Sequence, residues 1–495
     1  MSNARKFLAC IGAGLLMLTA SLPAAAEDAP AEDEGIKVGD LTFAETEGGY
    51  QLIGAEETVT DVKVPEKVEG EKVVAIGDGA FNECVSLKSV TLPDSLEKIG
   101  AGAFYYCMAL EKLEIPDSVT EIGNYAFANC FALKDITLPE NLEVLPSYAF
   151  SYDIALEELT LPAHLVQISP MSIVSCLLLK TVHIPASVRQ IDETAIFSNM
   201  GLETVDIAKD NNSFMTDSAG AVLSRDGSRL LLYPAGNTAE SYDIPAGVAA
   251  IDAYAFTSAL KLKTVTLPDS VKTVGDGAFS GCSSLASFDF PKQLTAIPAS
   301  LLADCESLSS FVIPDTVTEI GAYAFYCCNT LSGVTIPESV TKIGAYAFCG
   351  CNAMNEMTVP KSVTEIGDCA FGFEIVKDAE GGTESAAVRQ DFTLAGRSGS
   401  AAKTYAESSS VKFKQIGLGT TLTVIIVVAV LAVLGVILAL VIPHRKKPAE
   451  ENAAEEKPEE PADPNYASIL ADDEENGDPY DRSSGIQPED NDSET

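Results

Sequence analysis

The chain of 495 residues contains no tryptophan, only three histidines, and 32 basic against 72 acidic side chains. A net charge of −40 removes the clustered Lys and Arg that non-specific nucleic-acid binding needs, so no nucleic-acid partner is expected. Ahead of residue 417 the histidines are His164 and His183, and no H-E-x-x-H, G-x-S-x-G or Walker loop is present. Catalysis is therefore not expected, and the many Asp and Glu pairs read as solubilising. No metal or cofactor is expected either, because Cys349-Gly-Cys351 has no second pair or His at ligand spacing. Disorder of the whole chain is also excluded, since 46 % of residues are apolar and the mean hydropathy is +0.16.

The two ends predict a compartment. Arg5 and Lys6, the apolar stretch Phe7 to Leu22 and Ala24-Ala25-Ala26 have the form of a secretory signal peptide cut before Glu27. No charged side chain lies between Lys414 and Arg445, and Leu422 to Ile442 is nearly all Val, Ile, Leu and Ala. Such a run makes a helix of about 31 Å, long enough to cross a bilayer. His444, Arg445, Lys446 and Lys447 follow it and are expected in the cytoplasm. No Leu-Pro-x-Thr-Gly precedes the run, so the helix itself is the expected anchor. The tail after it is acidic and rich in proline, a composition that does not fold alone. Its Tyr466-Ala-Ser-Ile469 and Pro458-Glu-Glu-Pro461 match short sorting and PxxP patterns that also arise by chance.

Between the ends a unit of 23 residues recurs. Three copies align without a gap from Ile76, Ile99 and Ile122. The core residue falls at Phe81, Phe104, Phe127, Phe150, Ile173 and Ile196, then at Phe256, Phe279, Leu302, Phe325, Phe348 and Phe371. Every step is 23 except the 60 from Ile196 to Phe256, which implies 37 inserted residues and twelve units. Within one unit Leu113 and Ile115 alternate with polar neighbours as a half-buried strand does, and Pro116 ends the ladder. Val119 and Ile122 return to the core, Gly123 permits a bend, and Phe127 fills the coil. No unit buries these groups alone, which is the logic of a solenoid; at ~4.8 Å per coil, twelve coils span roughly 60 Å on one continuous spine.

The pattern I-G-x-x-A-F-x-x-C-x-x-L-x-x-V-x-I-P-x-S-V resembles the BspA-like class of bacterial leucine-rich repeats over about residues 40 to 416. Leu41-Thr42-Phe43 to Leu52-Ile53-Gly54 is similar to the family's amino-terminal hairpin, and Phe392-Thr393-Leu394 through Tyr405-Ala406 to its closing segment. The fold class expected is a leucine-rich-repeat solenoid, β-rich with parallel strands and short helical or irregular corners, plus one transmembrane α-helix. The division is 1–26 signal peptide, 27–75 acidic N-terminus and hairpin cap, 76–207 repeats 1–6, and 208–243 hairpin island. It continues as 244–373 repeats 7–12, 374–416 C-terminal cap, 417–442 transmembrane helix and 443–495 cytoplasmic tail.

Eight cysteines stand three places after the core residue: Cys84, Cys107, Cys130, Cys176, Cys282, Cys305, Cys328 and Cys351. Asp153, Asn199, Ala259 and Glu374 replace them elsewhere, so buried free thiols are expected, with disulfides the alternative for Cys327, Cys349 and Cys369. In the island, Asp226-Gly227 between apolar runs signals a hairpin, read either as a structural flap or as a loop touching a ligand. Asp210-Asn211-Asn212 lacks the alternate oxygens and distal Glu of a calcium loop.

The outward strand positions form the candidate ligand face: Lys112, Glu114, Asp135, Thr137, Glu158, Thr160, Thr181, His183, Thr264, Thr266, Thr335 and Thr358. The row is rich in Thr, which also favours strands, so a merely solvated face is the competing reading. The family resemblance implies adhesion to extracellular or host proteins such as fibronectin or fibrinogen. Two other readings stay open: a receptor signalling or sorting through its acidic tail, and an envelope spacer without a ligand.

Overall fold

Each 23-residue unit builds one coil. The computed structural model describes residues 35–377 and 384–416. The expected signal peptide, transmembrane helix and cytoplasmic tail lie outside the described residues; within them no helix is long and apolar enough to cross a membrane. A coil starts with a two-residue strand such as Glu121–Ile122, turns through Ala126-Phe127, and lays down a three-residue strand such as Asp135–Thr137 before the Pro-initiated turn. Both strands pair in parallel with the coil beneath at an offset of 23, Ile122 on Ile99 and Ile136 on Leu113. The corners stack too, with Phe104 N–H donating to Ala126 O at 2.8 Å. These corners are turns, and the described residues contain one α-helix, Ala401–Ser409, in the C-terminal cap.

Two residues per corner take left-handed backbone, as Tyr125 (φ 59°) and Asn129 (φ 63°) do, and these sharp reversals let the corner close within seven residues. Gly123 serves a different need from the bend expected of it. A Cβ there would lie 2.4 Å from Ala101 N, so glycine is required by the close approach of the coil below.

The core phenylalanines stack along the axis. Ring centroids of Phe81, Phe104, Phe127 and Phe150 succeed one another at 5.1, 5.9 and 5.5 Å, and those of Phe325, Phe348 and Phe371 at 5.0 and 5.1 Å. All are fully buried, so each covers its neighbours and a gap anywhere is felt by two coils.

The solenoid has about 16 turns, more than the twelve repeats counted, because flanking segments join the stack. The hairpin of Leu41–Thr46 and Gly49–Ala55 pairs in parallel with Glu71–Ile76 and seals one end. At the other, Thr393–Gly396 and Lys412–Gln415 extend the strand ladder beyond Glu356–Thr358. Buried Arg389 fastens that cap by donating to Cys351 O at 3.1 Å, Met354 O at 2.8 Å and Asp391 Oδ2 at 2.9 Å. The Tyr405 hydroxyl accepts from Phe371 N and donates to Phe371 O, both at 2.9 Å, taking the place of a following coil.

The island corrects the expectation of one spine. Phe214–Thr216, Val222–Ser224 and Arg229–Leu232 form an antiparallel unit with Asp226-Gly227 at its turn, and the repeat register resumes inside the stretch. Tyr233 stacks on Phe256 at 5.2 Å, 23 residues ahead, and Ser241–Asp243 pairs with Thr264–Thr266. Buried residues fall into two clusters, one from Leu41 to Leu231 and one from Ala221 to Val411. Val222 and Leu231 belong to the first while Leu223 and Leu230 belong to the second, so the hairpin packs one face on each. Asn211 is a structural pin: its amide donates to Pro185 O and Val188 O at 3.0 Å and accepts from Ser213 N and Phe214 N.

No disulfide joins the described cysteines. The ladder thiols instead donate to the carbonyl of the preceding core residue: Cys107 to Phe81, Cys130 to Phe104 and Cys176 to Phe150, at 3.2, 3.2 and 2.8 Å. Asn199 does the same with its amide, reaching Ile173 O at 2.8 Å while its Oδ1 accepts from Cys176 N. Asp153 accepts from Cys130 N at 2.8 Å through Oδ1, but its buried Oδ2 has no partner. Burial pushes this carboxyl well above the usual carboxylate range, the Cys130 N–H only partly opposing it.

Two outcomes follow from this packing. Phe127→Ala should lower the unfolding free energy by about 3–5 kcal/mol in denaturant titration, the cost of a large side chain removed from a core that cannot collapse around the hole. Asp153 has a raised folded pKa, so its favourable contribution is complete below the unfolded value of about 3.9 and is lost as pH rises through the folded one. Asp153→Asn should therefore stabilise the protein by about 1–3 kcal/mol at pH 7, with the gain shrinking toward pH 4 in the same titration.

Candidate functional site

The parallel ladder determines where each outward side chain goes. Because side chains alternate along a strand, Leu113 turns into the core while Lys112 and Glu114 point out, and the 23-residue offset repeats that choice on each coil. All twelve predicted face residues are exposed except Thr181 and His183, which are half-buried.

The structure gathers them in groups. Asp135 lies beside Lys112 and Thr137 beside Glu114. Lys112 Nζ meets Glu114 Oε1 at 2.8 Å and Asp135 Oδ2 at 3.3 Å, and these carboxylates, Glu114 first, hold its amine above the ordinary lysine range. Glu158, Thr160, Thr181 and His183 form a second group across the pair Glu158–Thr160 and Thr181–Ile184. Thr264 and Thr266 lie in a separate two-stranded sheet beyond the island. Thr335 stands where pairing thins to single bridges between Ser287, Ser310 and Gly333, and Thr358 pairs with Ala395 of the cap.

His183 is the most constrained of the twelve. Its Nδ1 is 3.0 Å from Asp206 Oδ2 and its Nε2 is 3.0 Å from Glu158 Oε1, with the three residues on successive coils. Only the doubly protonated ring donates to both carboxylates at once. Asp206 alternates outward along the strand Thr204–Ile207, whereas the clamp needs three side chains 23 and 25 residues apart to meet.

An open cleft of about 900 Å³ runs along this face beside Lys112, Glu114 and Thr137, and continues to Asp94 and Asp117 in the proline turns. Its lining mixes the apolar residues Val90, Leu92 and Ile115 with charges of both signs, the chemistry of a polar protein contact. Among the described residues no three His, Cys, Asp or Glu are grouped to hold a metal ion.

A solenoid that repeats an outward strand face on its coils is the architecture of leucine-rich-repeat proteins, in general a binding scaffold. The profile of the BspA type leucine rich repeat region matches residues 74–203 and 249–376, more than half of the chain, and the protein belongs to that family. It is similar to a leucine rich cell surface protein of Faecalibacterium prausnitzii at 30 % identity and a TM-score of 0.54, over 65 % of this chain and 93 % of that one. A leucine-rich repeat protein of Eubacterium ventriosum matches at 20 % identity and TM-score 0.49, over 70 % and 98 %. The pneumococcal vaccine antigen PcpA matches at 17 % identity and TM-score 0.47, over 77 % and 98 %. No curated protein matches the chain. Proteins of this family are typically found at the cell surface, and the repeat scaffold has a protein-binding role.

The charged contacts on the face are exposed, so they contribute little to stability. Lys112→Ala should leave the midpoint of denaturant unfolding essentially unchanged, so that any loss of binding is attributable to the face.

Proposed function

We propose that the protein is a cell-surface adhesin that captures extracellular or host proteins on its strand face. In this reading residues 417–442 hold it in the membrane by a single pass, residues 27–416 face outward and residues 443–495 are cytoplasmic. The observation that carries the proposal is the row from Lys112 to Thr358, whose members are aimed outward by the strand register and spend nothing on the core. The Faecalibacterium neighbour, described as a cell surface protein, supports the location. Exposed side chains of mixed sign beside Thr suit a polar protein partner, and the anionic whole favours partners with basic surface.

The test is capture of matrix proteins such as fibronectin and fibrinogen by the full-length chain, compared with a triple variant Lys112→Glu, Thr137→Arg, Thr160→Arg. Binding should fall at least about tenfold in the variant. Removal of residues 448–495 should leave capture unchanged; silence of the truncated chain in capture, or an undiminished triple variant, refutes the reading.

A further inference from the structure

The side chain four places after the core residue forms a second row, on the rim between the phenylalanine corner and the strand face. In the first six repeats it is apolar throughout: Val85, Met108, Phe131, Ile154, Leu177 and Met200. Val85, Met108 and Ile154 are 45 %, 38 % and 36 % exposed, and the other three are half-buried. The fold does not demand this chemistry. Beyond Leu260 in the seventh repeat, the same position holds Ser283, Glu306, Asn329 and Asn352 in coils of the same construction, before Ile375 of the twelfth enters the strand Phe373–Lys377.

Three places further on, beside the strands, runs a row of charges that alternates in sign: Lys88, Glu111, Lys134, Glu157, Lys180 and Glu203. All six are exposed. Backbone bonds lock them into one file, since Glu111 N donates to Lys88 O, Lys134 N to Glu111 O and Glu203 N to Lys180 O. This file lapses with the apolar one: after Lys263 the position is Ala286, Ser309, Ser332 and Asn355. Two independent columns therefore change character together, at the same place along the solenoid.

A partly exposed apolar ribbon over six coils marks a contact surface, and the charge file, in which Lys180 Nζ also meets Glu157 Oε2 of the neighbouring rung at 3.0 Å, identifies the occupant. Read backwards, the file presents the opposite sign at every rung. A second copy placed antiparallel, with its two-fold axis between the third and fourth repeats, sets Lys88 against Glu203, Glu111 against Lys180 and Lys134 against Glu157. The same axis sets Val85 against Met200, Met108 against Leu177 and Phe131 against Ile154. Exposed Leu178, between the two files, falls against Ala109, which leaves it room. A parallel pairing would oppose like charges on every rung. We propose that the protein forms an antiparallel homodimer through this rim of repeats 1–6, an isologous interface in which each residue meets its symmetry counterpart. The strand-face residues of the proposed adhesin site take no part, so the two ideas stand or fall separately.

The test uses the full-length chain in mild detergent, followed by sedimentation equilibrium. The wild type should be dimeric. Met108→Glu with Ile154→Asn, which copies residues found at this position in later repeats, should weaken association at least about tenfold. Thermal unfolding extrapolated to infinite dilution should be unchanged. Lys134→Glu should weaken association, and Lys134→Glu with Glu157→Lys should restore it. Val85 and Met200 are ~24 Å apart within one chain, five rungs at ~4.8 Å. The double variant Val85→Cys, Met200→Cys should therefore give a covalent dimer with oxidised glutathione as oxidant, and neither single variant should. A wild type that stays monomeric at every concentration, a charge swap that fails to restore association, or self-cross-linking of Val85→Cys alone would overturn the proposal.

Discussion

The structure depends on one constraint: a coil of 23 residues leaves its core side chain, its corner carbonyls and its strand edges unsatisfied until the next coil covers them. Phe127 is dry only because Phe104 and Phe150 lie on either side of it, and the Ala126 carbonyl is bonded only because Phe104 N–H reaches up to it. The end coils cannot satisfy this requirement with another repeat. The Leu41–Ala55 hairpin and the Arg389–Tyr405 closure therefore supply substitutes, and Tyr405 does so atom for atom by bonding both backbone groups of Phe371.

The same constraint explains the position after the corner. Where a cysteine stands there it donates to the carbonyl of the core residue one coil back, and a thiol is a small, largely apolar group that can do so at little cost of burial. Asn199 does the same with an amide and satisfies an N–H in addition. Asp153 matches half of that pattern: one oxygen accepts from Cys130 N and the other is left without a partner. The cysteines are thus hydrogen-bond donors in a stack, which is why they remain thiols although neighbours recur one coil apart.

The proposed functions use the positions that the constraint leaves unassigned. On the strand face these carry Thr and charges of both signs, tied into local clusters such as Lys112 with Glu114 and Asp135, or His183 between Glu158 and Asp206. On the rim repeats 1–6 are apolar and repeats 8–11 polar, although the coils beneath are built alike. Variation on an invariant frame is what both proposed contact surfaces share.

The repeat, the inward phenylalanines, the outward strand row and the thiol file were legible in the amino-acid order, because each depends on spacing within one coil and recurs in the others. Tyr233 was missed, although Tyr242-Asp243-Ile244-Pro245 precedes Val265-Thr266-Leu267-Pro268 by one period and held the signal. What only the tertiary structure decided depends on residues from different coils meeting. The island hairpin turns Val222 and Leu223 to opposite faces and so divides the core, His183 acquires two carboxylates from neighbouring rungs, and Asp153 is left with a dry oxygen. Periodicity specifies which side chains share a file; burial and the chemistry of the adjacent rung determine what each of them does.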